Sequence, residues 1–305
     1  MCNQFCFDTA VGEIKGKRRT QEDFVFANFP ENANAGLAVL SDGMGGHHNS
    51  VIASKFLVTG VAGELSMELE NFADIEDKIP EMLGDVTRFA NVQLGSFIRQ
   101  RRIKSTIGAT LLSVAISRDK LFWASVGDSL LYVFRDGELR RLNADHSMSP
   151  QIDFMVEAGM ISEEKAKDHP DRSILTSAIY GRSITRIDCP EDFFQLRPSD
   201  IVILASDGID TLNRHALSEL LTKNPSADSG ALVGLIMSAI DAADHSDQDN
   251  TALAVIKVEN RAEKQKSRQP KVTERPATPW SMPEICAPAG SDVQLGVTPT
   301  GPFKS

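Results

Sequence analysis

Hydrophobic and polar positions change period several times along the chain, and each change marks an element. Leu37-Ala38-Val39-Leu40 is a short unbroken apolar run, the pattern of a strand covered on both faces. It runs into Ser41-Asp42-Gly43-Met44-Gly45-Gly46, where glycines let the backbone turn sharply. The design recurs downstream, where Ile201-Val202-Ile203-Leu204-Ala205 ends in Ser206-Asp207-Gly208. Residues 5–30 read as two strands, the second holding Phe24, Val25, Phe26 and Phe29, joined through a polar turn over 16–23. Ser50 is a candidate N-cap for a helix that places Ile52, Phe56, Leu57 and Val61 on a core face. A second helix is expected from about Ile75, with Ile79, Met82, Leu83, Val86, Phe89, Ala90 and Phe97 keeping helical period. Its basic end, Arg99, Arg101, Arg102 and Lys104, suits the helix dipole. A solvated helix end is the expectation there, and contact with an acidic partner the alternative.

From Thr106 the period becomes that of strands, at 110–116, 121–126, 130–134 and 139–142. Arg118-Asp119-Lys120, Gly127-Asp128-Ser129 and Asp136-Gly137 are the tight connectors of an antiparallel meander. Residues 148–182 hold a polar surface excursion, either a substrate-facing flap or a passive loop. After Ser206-Asp207-Gly208 come two helical stretches, one with Leu217, Leu220 and Leu221 and one over 229–243. Asp247-Gln248-Asp249-Asn250-Thr251 then opens a last strand over 252–258. Beyond Val258 no apolar period survives and half of the 14 prolines fall between Pro270 and Pro302. The expected organisation is one domain over 1–258 and a Pro-rich, disordered tail over 259–305. Strands and helices in this order predict an α+β sandwich of sheets with helices packed outside, its strand ends gathered along one edge.

The balance of 32 Lys and Arg against 42 Asp and Glu gives a net charge of -10. The tail carries +2, so residues 1–258 carry -12, which argues against nucleic acid as the main partner. Cysteines at 2, 6, 189 and 286 form no C-x-x-C pair and read as free thiols of a reducing compartment, so the cytoplasm is the expected address. The longest strongly apolar stretch, Ala231 to Ile240, is too short to cross a bilayer, and the amino terminus lacks a signal-peptide core. No membrane association is expected.

Acidic turns carry the candidate chemistry. If Glu22, Asp42, Asp207 and Asp249 converge, each pair of bare carboxylates about 4 Å apart repels by about 4 kcal/mol at an effective dielectric constant near 20. Such a cluster calls for divalent cations. Without His or Cys at matching positions these are hard ions, magnesium or manganese rather than zinc. Two ions bridged by a carboxylate can acidify a water for in-line attack on phosphorus. Hydrolysis of a phosphate ester needs a barrier reduction on the order of 20 kcal/mol, and a planar Arg18 fork on two phosphate oxygens is the candidate clamp.

Arg18-Arg19-Thr20-Gln21-Glu22-Asp23, Asp42-Gly43-Met44-Gly45-Gly46, Gly108-Ala109-Thr110, Gly127-Asp128-Ser129, Ser206-Asp207-Gly208 and Asp249-Asn250 occur in this order. Together with Asp145-His146-Ser147 and Leu175-Thr176, they resemble the metal-dependent serine/threonine protein phosphatases of type 2C, bacterial-type, over roughly residues 8–258. The resemblance implies a four-layer αββα sandwich with two central antiparallel sheets. It implies that Asp42 bridges two manganese or magnesium ions, with Glu22 and the Gly43 carbonyl on one and Asp207 and Asp249 on the other. Asp128 with Asp207 would hold a third ion, Arg18 the substrate phosphate, and Asp23 and Asn250 would support the ligands.

Departures from the pattern are equally legible. Met44 stands where eukaryotic members often have a histidine acid, as in many bacterial members, which leaves leaving-group protonation to a water. His47 and His48 read as surface residues of the following turn. Leu130 replaces the usual arginine after Gly-Asp-Ser, Ser177 replaces another arginine in a 175–181 segment that looks one residue longer, and Gln21 replaces asparagine. The function implied is removal of phosphate from serine or threonine of proteins, opposing a bacterial serine/threonine kinase, by a monomer. Two alternatives are a catalytically silent phosphoprotein-binding module and a partner-switching regulatory phosphatase dedicated to one protein.

Overall fold

Alternating side-chain direction along the central strands sorts the apolar side chains into three separate cores. The computed structural model describes residues 5–31, 33–45, 48–103 and 106–261. In strand order, β1 spans Phe5–Ile14, β2 Phe24–Asn28, β3 Ala35–Ser41, β4 Gly43–Met44, β5 Gly108–Ala109, β6 Leu111–Ser117, β7 Lys120–Val126, β8 Leu130–Arg135, β9 Glu138–Arg141, β10 Phe194–Gln195, β11 Ile201–Ala205 and β12 Thr251–Asn260. One antiparallel sheet runs β1-β12-β11-β8-β9, the other β10-β7-β6-β3-β2, and β4 pairs with β5. Helices α1 (His48–Glu68) and α2 (Ile79–Gln100) belong to the second sheet. Helices α3 (Ser149–Glu157) and α4 (Glu163–Lys167) lie in the excursion, and α5 (Arg214–Lys223) and α6 (Ser229–Ala242) follow β11.

Period-two strands explain the layering. Ala38, Leu40, Val114, Leu131, Val202, Leu204 and Ala254 pack between the two sheets. Leu37 and Val39 turn the other way, onto Leu57, Val61 and Leu83 of α1 and α2. Ile201, Ile203 and Val255 turn away from the first core onto Leu217, Leu232 and Ile236 of α5 and α6. The αββα sandwich expected from the sequence is therefore the fold, and the β3 run is buried at every residue.

Several local expectations are corrected. β1 pairs along its length with β12, whereas β2 pairs with β3, so the 16–23 turn crosses between sheets instead of closing a hairpin. The 110–142 strands are not one meander: β6 pairs with β7 in one sheet and β8 with β9 in the other, and Gly127-Asp128-Ser129 is the crossing. Ser50 lies inside α1, which begins at His48, so it is not the N-cap. The second helix starts at Ile79 after a 3-10 turn over Glu76–Lys78, and its Phe89 is exposed despite its helical spacing. Over 49–71 the chain is long and apolar enough to cross a membrane by length and composition, a longer apolar stretch than Ala231 to Ile240. In the fold, Ala53, Leu57, Val58 and Leu65 of that helix are in the core. The tail beyond Arg261 lies outside the described residues.

Candidate active site

Both sheets end their acidic strands at the same edge. Arg18, Glu22, Asp42, Gly43, Asp128, Asp207, Asp249 and Asn250 line one cleft of about 730 Å³, although they come from segments more than 200 residues apart. Of the residues for which the resemblance implied a metal, phosphate or supporting role, Asp23 alone does not line it. It is buried just behind, where its Oδ2 accepts from Ser206 Oγ at 2.6 Å.

Main-chain clamps fix each arm of the cleft. The Asp42 N–H donates to Thr110 Oγ1 at 2.9 Å, the Thr110 N–H donates back to the Asp42 carbonyl at 2.8 Å, and Ser41 Oγ donates to the Thr110 carbonyl at 2.6 Å. Asn250 stitches the 15–22 turn to the start of β12. Its Nδ2 donates to the carbonyls of Lys15 at 2.7 Å and Thr20 at 2.9 Å, and its Oδ1 accepts from the Glu22 N–H at 2.8 Å. The Asn250 N–H donates to Asp249 Oδ1 at 2.7 Å, and Arg18 Nη2 donates to Asp249 Oδ2 at 2.5 Å. Arg18 thus stands at the cleft with a carboxylate already on its fork.

The electrostatics are those of carboxylates crowded out of water. Burial, then the charges of Asp23, Asp207 and Asp128, hold Asp42 well above the usual carboxylate range. Burial, then Asp128, Asp249 and Asp23, do the same to Asp207. Burial is also the main cause that raises Asp23 and Asp128 to about 6 each. Mutual repulsion of this kind is relieved by a cation. Asp207 Oδ1 is buried with no hydrogen-bond partner, which is costly unless something positive meets it. No three His, Cys, Asp or Glu side chains among the described residues are already arranged as an ion cage. The fit to hard divalent ions therefore lies in the all-oxygen donor set and in the orphaned Asp207 oxygen.

Other residues of the site gave weaker signals. Arg141, on β9, donates to the Asp128 carbonyl at 3.0 Å and to Asp145 Oδ2 at 3.0 Å, so it supplies a cation beside Asp128. Leu130 is instead buried against α5 and α6. Asp210, one turn beyond Asp207, has its carboxyl raised by burial first and then modulated by Arg141 and Asp145. Its only sequence signal was a second acid after Ser206-Asp207-Gly208. Ser177 Oγ closes a loop by donating to the Arg186 carbonyl at 2.7 Å, and Gln21 Nε2 donates to the Ile14 carbonyl at 3.1 Å. Tyr180 lines the cleft, and its hydroxyl lies 3.0 Å from Met44 Sδ. His47 and the side chain of His48 lie outside the described residues.

The chain is similar to known protein phosphatases in sequence and in structure. Protein phosphatase PhpP of Streptococcus pneumoniae is 28% identical over 203 residues, covering 66% of this chain and 76% of that protein. The solved serine/threonine phosphatase of S. agalactiae superposes with a TM-score of 0.69 at 28% identity, over 83% of this chain and 100% of that one. The catalytic domain of the serine/threonine protein phosphatase PstP, solved with two manganese ions, shares the fold at a TM-score of 0.65 and 22% identity, over 84% of this chain and 100% of that one. A family model described as "Protein phosphatase 2C" matches residues 15–244, a span that holds every cleft residue discussed above except Asp249 and Asn250, and the chain belongs to that family.

Proposed function

We propose that the chain is a metal-dependent protein serine/threonine phosphatase whose cleft works with manganese or magnesium. The observation that carries the assignment of roles is the convergence of Glu22, Asp42, Asp128, Asp207 and Asp249 on one cleft, with Asp42 and Asp207 raised by burial and then by their neighbours, and with Asp207 Oδ1 unpartnered. In this reading Asp42, Glu22 and the Gly43 carbonyl would hold one ion, and Asp42, Asp207 and Asp249 would hold a second. Asp128 with Asp207 would hold a third. When bound, such ions acidify a water and offset charge on the phosphoryl oxygens.

The chain's own residues do the rest. Thr110 and Ser41 hold the Asp42 main chain, so its carboxylate needs no reorganisation when substrate arrives. Arg18 exchanges the Asp249 carboxylate for two phosphate oxygens and orients the ester for in-line attack. Met44 cannot give a proton to the departing serine or threonine oxygen. Burial raises the Tyr180 phenol above its ordinary value, so Tyr180 can donate a hydrogen bond there but is a weak proton source. The proton therefore comes from water. Phosphorylated proteins are the proposed substrates, with a serine/threonine kinase supplying them. The free thiol of Cys189 supports a reducing, cytoplasmic address, which cell fractionation tests.

The test is hydrolysis of a phosphothreonine peptide with manganese, magnesium or chelator, beside Asp42→Asn and Asp207→Asn. Metal-dependent release lost in both variants is expected. A folded wild-type chain that releases no phosphate from any peptide with either metal would move the reading to a silent phosphoprotein-binding module.

A further inference from the structure

The active-site cleft does not stop at Tyr180. The same side chain lines a second cavity of about 420 Å³, which includes Ile98, Ile107, Arg99 and Arg182. A third cavity of about 450 Å³ continues along α2 past Val92 and Ile184 and shares Arg99 and Arg182, with Arg88 at its border. Neither is lined by Asp or Glu among the described residues, in a chain whose net charge is -10. A groove with an apolar floor and a cationic border therefore opens from an acidic cleft.

This groove is built rigidly. Gly95 of α2 and Gly181 touch main chain to main chain, and a Cβ on either would overlap the backbone of the other. Gly181 adopts a φ of +71°, which favours glycine. Asn91 of α2 accepts from the Gly181 N–H at 2.8 Å and donates to the Arg182 carbonyl. The 180–182 segment is thus fastened to α2 by its backbone, which leaves the Arg182 side chain exposed. Arg88 already pairs with Asp85 at 2.7 Å. Among the described residues the Arg99 guanidinium donates only to the Ser96 hydroxyl, at 3.0 Å, and neither Arg99 nor Arg182 pairs with a carboxylate. Two unpaired guanidinium forks therefore stand beside the path into the cleft, and such forks take carboxylate or phosphate oxygens two at a time.

We propose that this groove holds an anionic stretch of the phosphoprotein substrate, so that phosphoresidues followed or preceded by acidic side chains, or by a second phosphate, are dephosphorylated preferentially. The proposal rests on the phosphatase reading of the cleft. Apolar residues between the anionic groups would lie on the floor formed by Val92, Ile98, Ile107 and Ile184. The basic end of the second helix, Arg99 onward, is on this account more than a solvated helix terminus.

The test uses the full chain with manganese and phosphothreonine peptides that carry alanine, aspartate, lysine or a second phosphoserine about two to six residues away on either side, the reach of a short extended segment. On one side of the phosphothreonine, kcat/KM should be about tenfold higher for aspartate than for alanine, the scale of two exposed ion pairs. The doubly phosphorylated arm separates carboxylate from phosphate as the preferred anion, and a gain with either supports the groove. In the Arg99→Ala/Arg182→Ala chain the preference should vanish, while hydrolysis of p-nitrophenyl phosphate, which is too small to reach the groove, keeps its wild-type rate. Arg182→Glu should shift preference toward lysine. Equal kcat/KM for all peptides, or a preference that survives in the double variant, overturns the proposal. Loss of p-nitrophenyl phosphate hydrolysis in the wild type would instead break the phosphatase reading. Fluorescence anisotropy of labelled aspartate and alanine peptides then reads the groove directly: tighter aspartate binding that needs Arg99 and Arg182 supports it, and equal binding overturns it.

Discussion

Two strands from opposite sheets, β3 and β11, end in the same tripeptide, and the fold clamps the two ends in different ways. Ser41 and Asp42 are held by Thr110, from the neighbouring chain segment of the same sheet, and the chain continues extended into β4. Ser206 is held by β12. Its N–H donates to the Ala252 carbonyl at 3.0 Å, its Oγ accepts from the Ala252 N–H at 2.9 Å, and the same hydroxyl donates to Asp23, which leads into β2 of the other sheet. The chain then coils at once into a 3-10 turn over Asp207–Thr211. What the two ends share is local: an apolar strand buried to its last residue, so that the following Asp is the first group to reach the cleft. What differs is mechanical. The first end is anchored within its own sheet, and the second ties the two sheets together.

Substituting the two aspartates tests whether the ends are equal partners. Asp42→Asn and Asp207→Asn should each lower kcat by about 10³-fold or more, because on the proposed function each removes a charge that would hold an ion. Steady-state kinetics over a manganese titration measures this, and an Asp207→Asn chain rescued fully by excess manganese would show that only the β3 end is indispensable.

Backbone crowding separates the ends further. A Cβ at Gly208 would overlap the Asn250 carbonyl and the Thr251 hydroxyl, where β12 begins two residues after Asp249. Gly208→Ala should therefore cost about 2–3 kcal/mol in denaturant unfolding and lower activity together with stability, since the β12 start must move.

Charge crowding makes stability depend on pH. Asp23 and Asp128 have carboxyls raised from 3.8 to about 6, and Asp42 and Asp207 move in the same direction. A group that binds its proton more tightly in the fold than in the unfolded chain stabilises fully below about pH 4 and loses that contribution as pH rises through about 6. In chelator, the melting temperature should therefore fall between pH 5 and pH 7, by the equivalent of about 1 kcal/mol for Asp23 alone. Manganese should remove most of the slope, and Asp23→Asn should flatten it without metal. A rise with pH in chelator would contradict the crowding.

The serine clamps give the smallest effects. Ser206→Ala removes a donor to a buried carboxylate and should cost about 1–3 kcal/mol, whereas Ser41→Ala removes one donor to a carbonyl that is neutral and should cost about 1 kcal/mol. The Ser206 bond also lowers the Asp23 carboxyl, so its loss should steepen the pH slope just described. Equal costs for the two serines would remove the distinction between an end anchored within a sheet and an end that joins sheets.

Much of this was legible in residues alone. Apolar runs at 37–40 and 201–205, the acidic turns after them, and the ordered motifs from Arg18 to Asn250 determined the strands, the oxygen-rich chemistry and the resemblance to type 2C phosphatases, because strand burial and turn composition are local properties. Tertiary structure alone decided which strands pair. Residues 16–23 and 127–129 look like hairpin turns locally yet cross between sheets, since pairing is settled by partners such as β12, more than 200 residues from β1. It also decided that Thr110 and Ser206 clamp the acidic ends, that Asp207 keeps an unpartnered oxygen, and that Gly95 and Gly181 bring Arg182 beside Arg99. Those outcomes depend on close approach between distant backbones, and hydrophobic period carries no record of that.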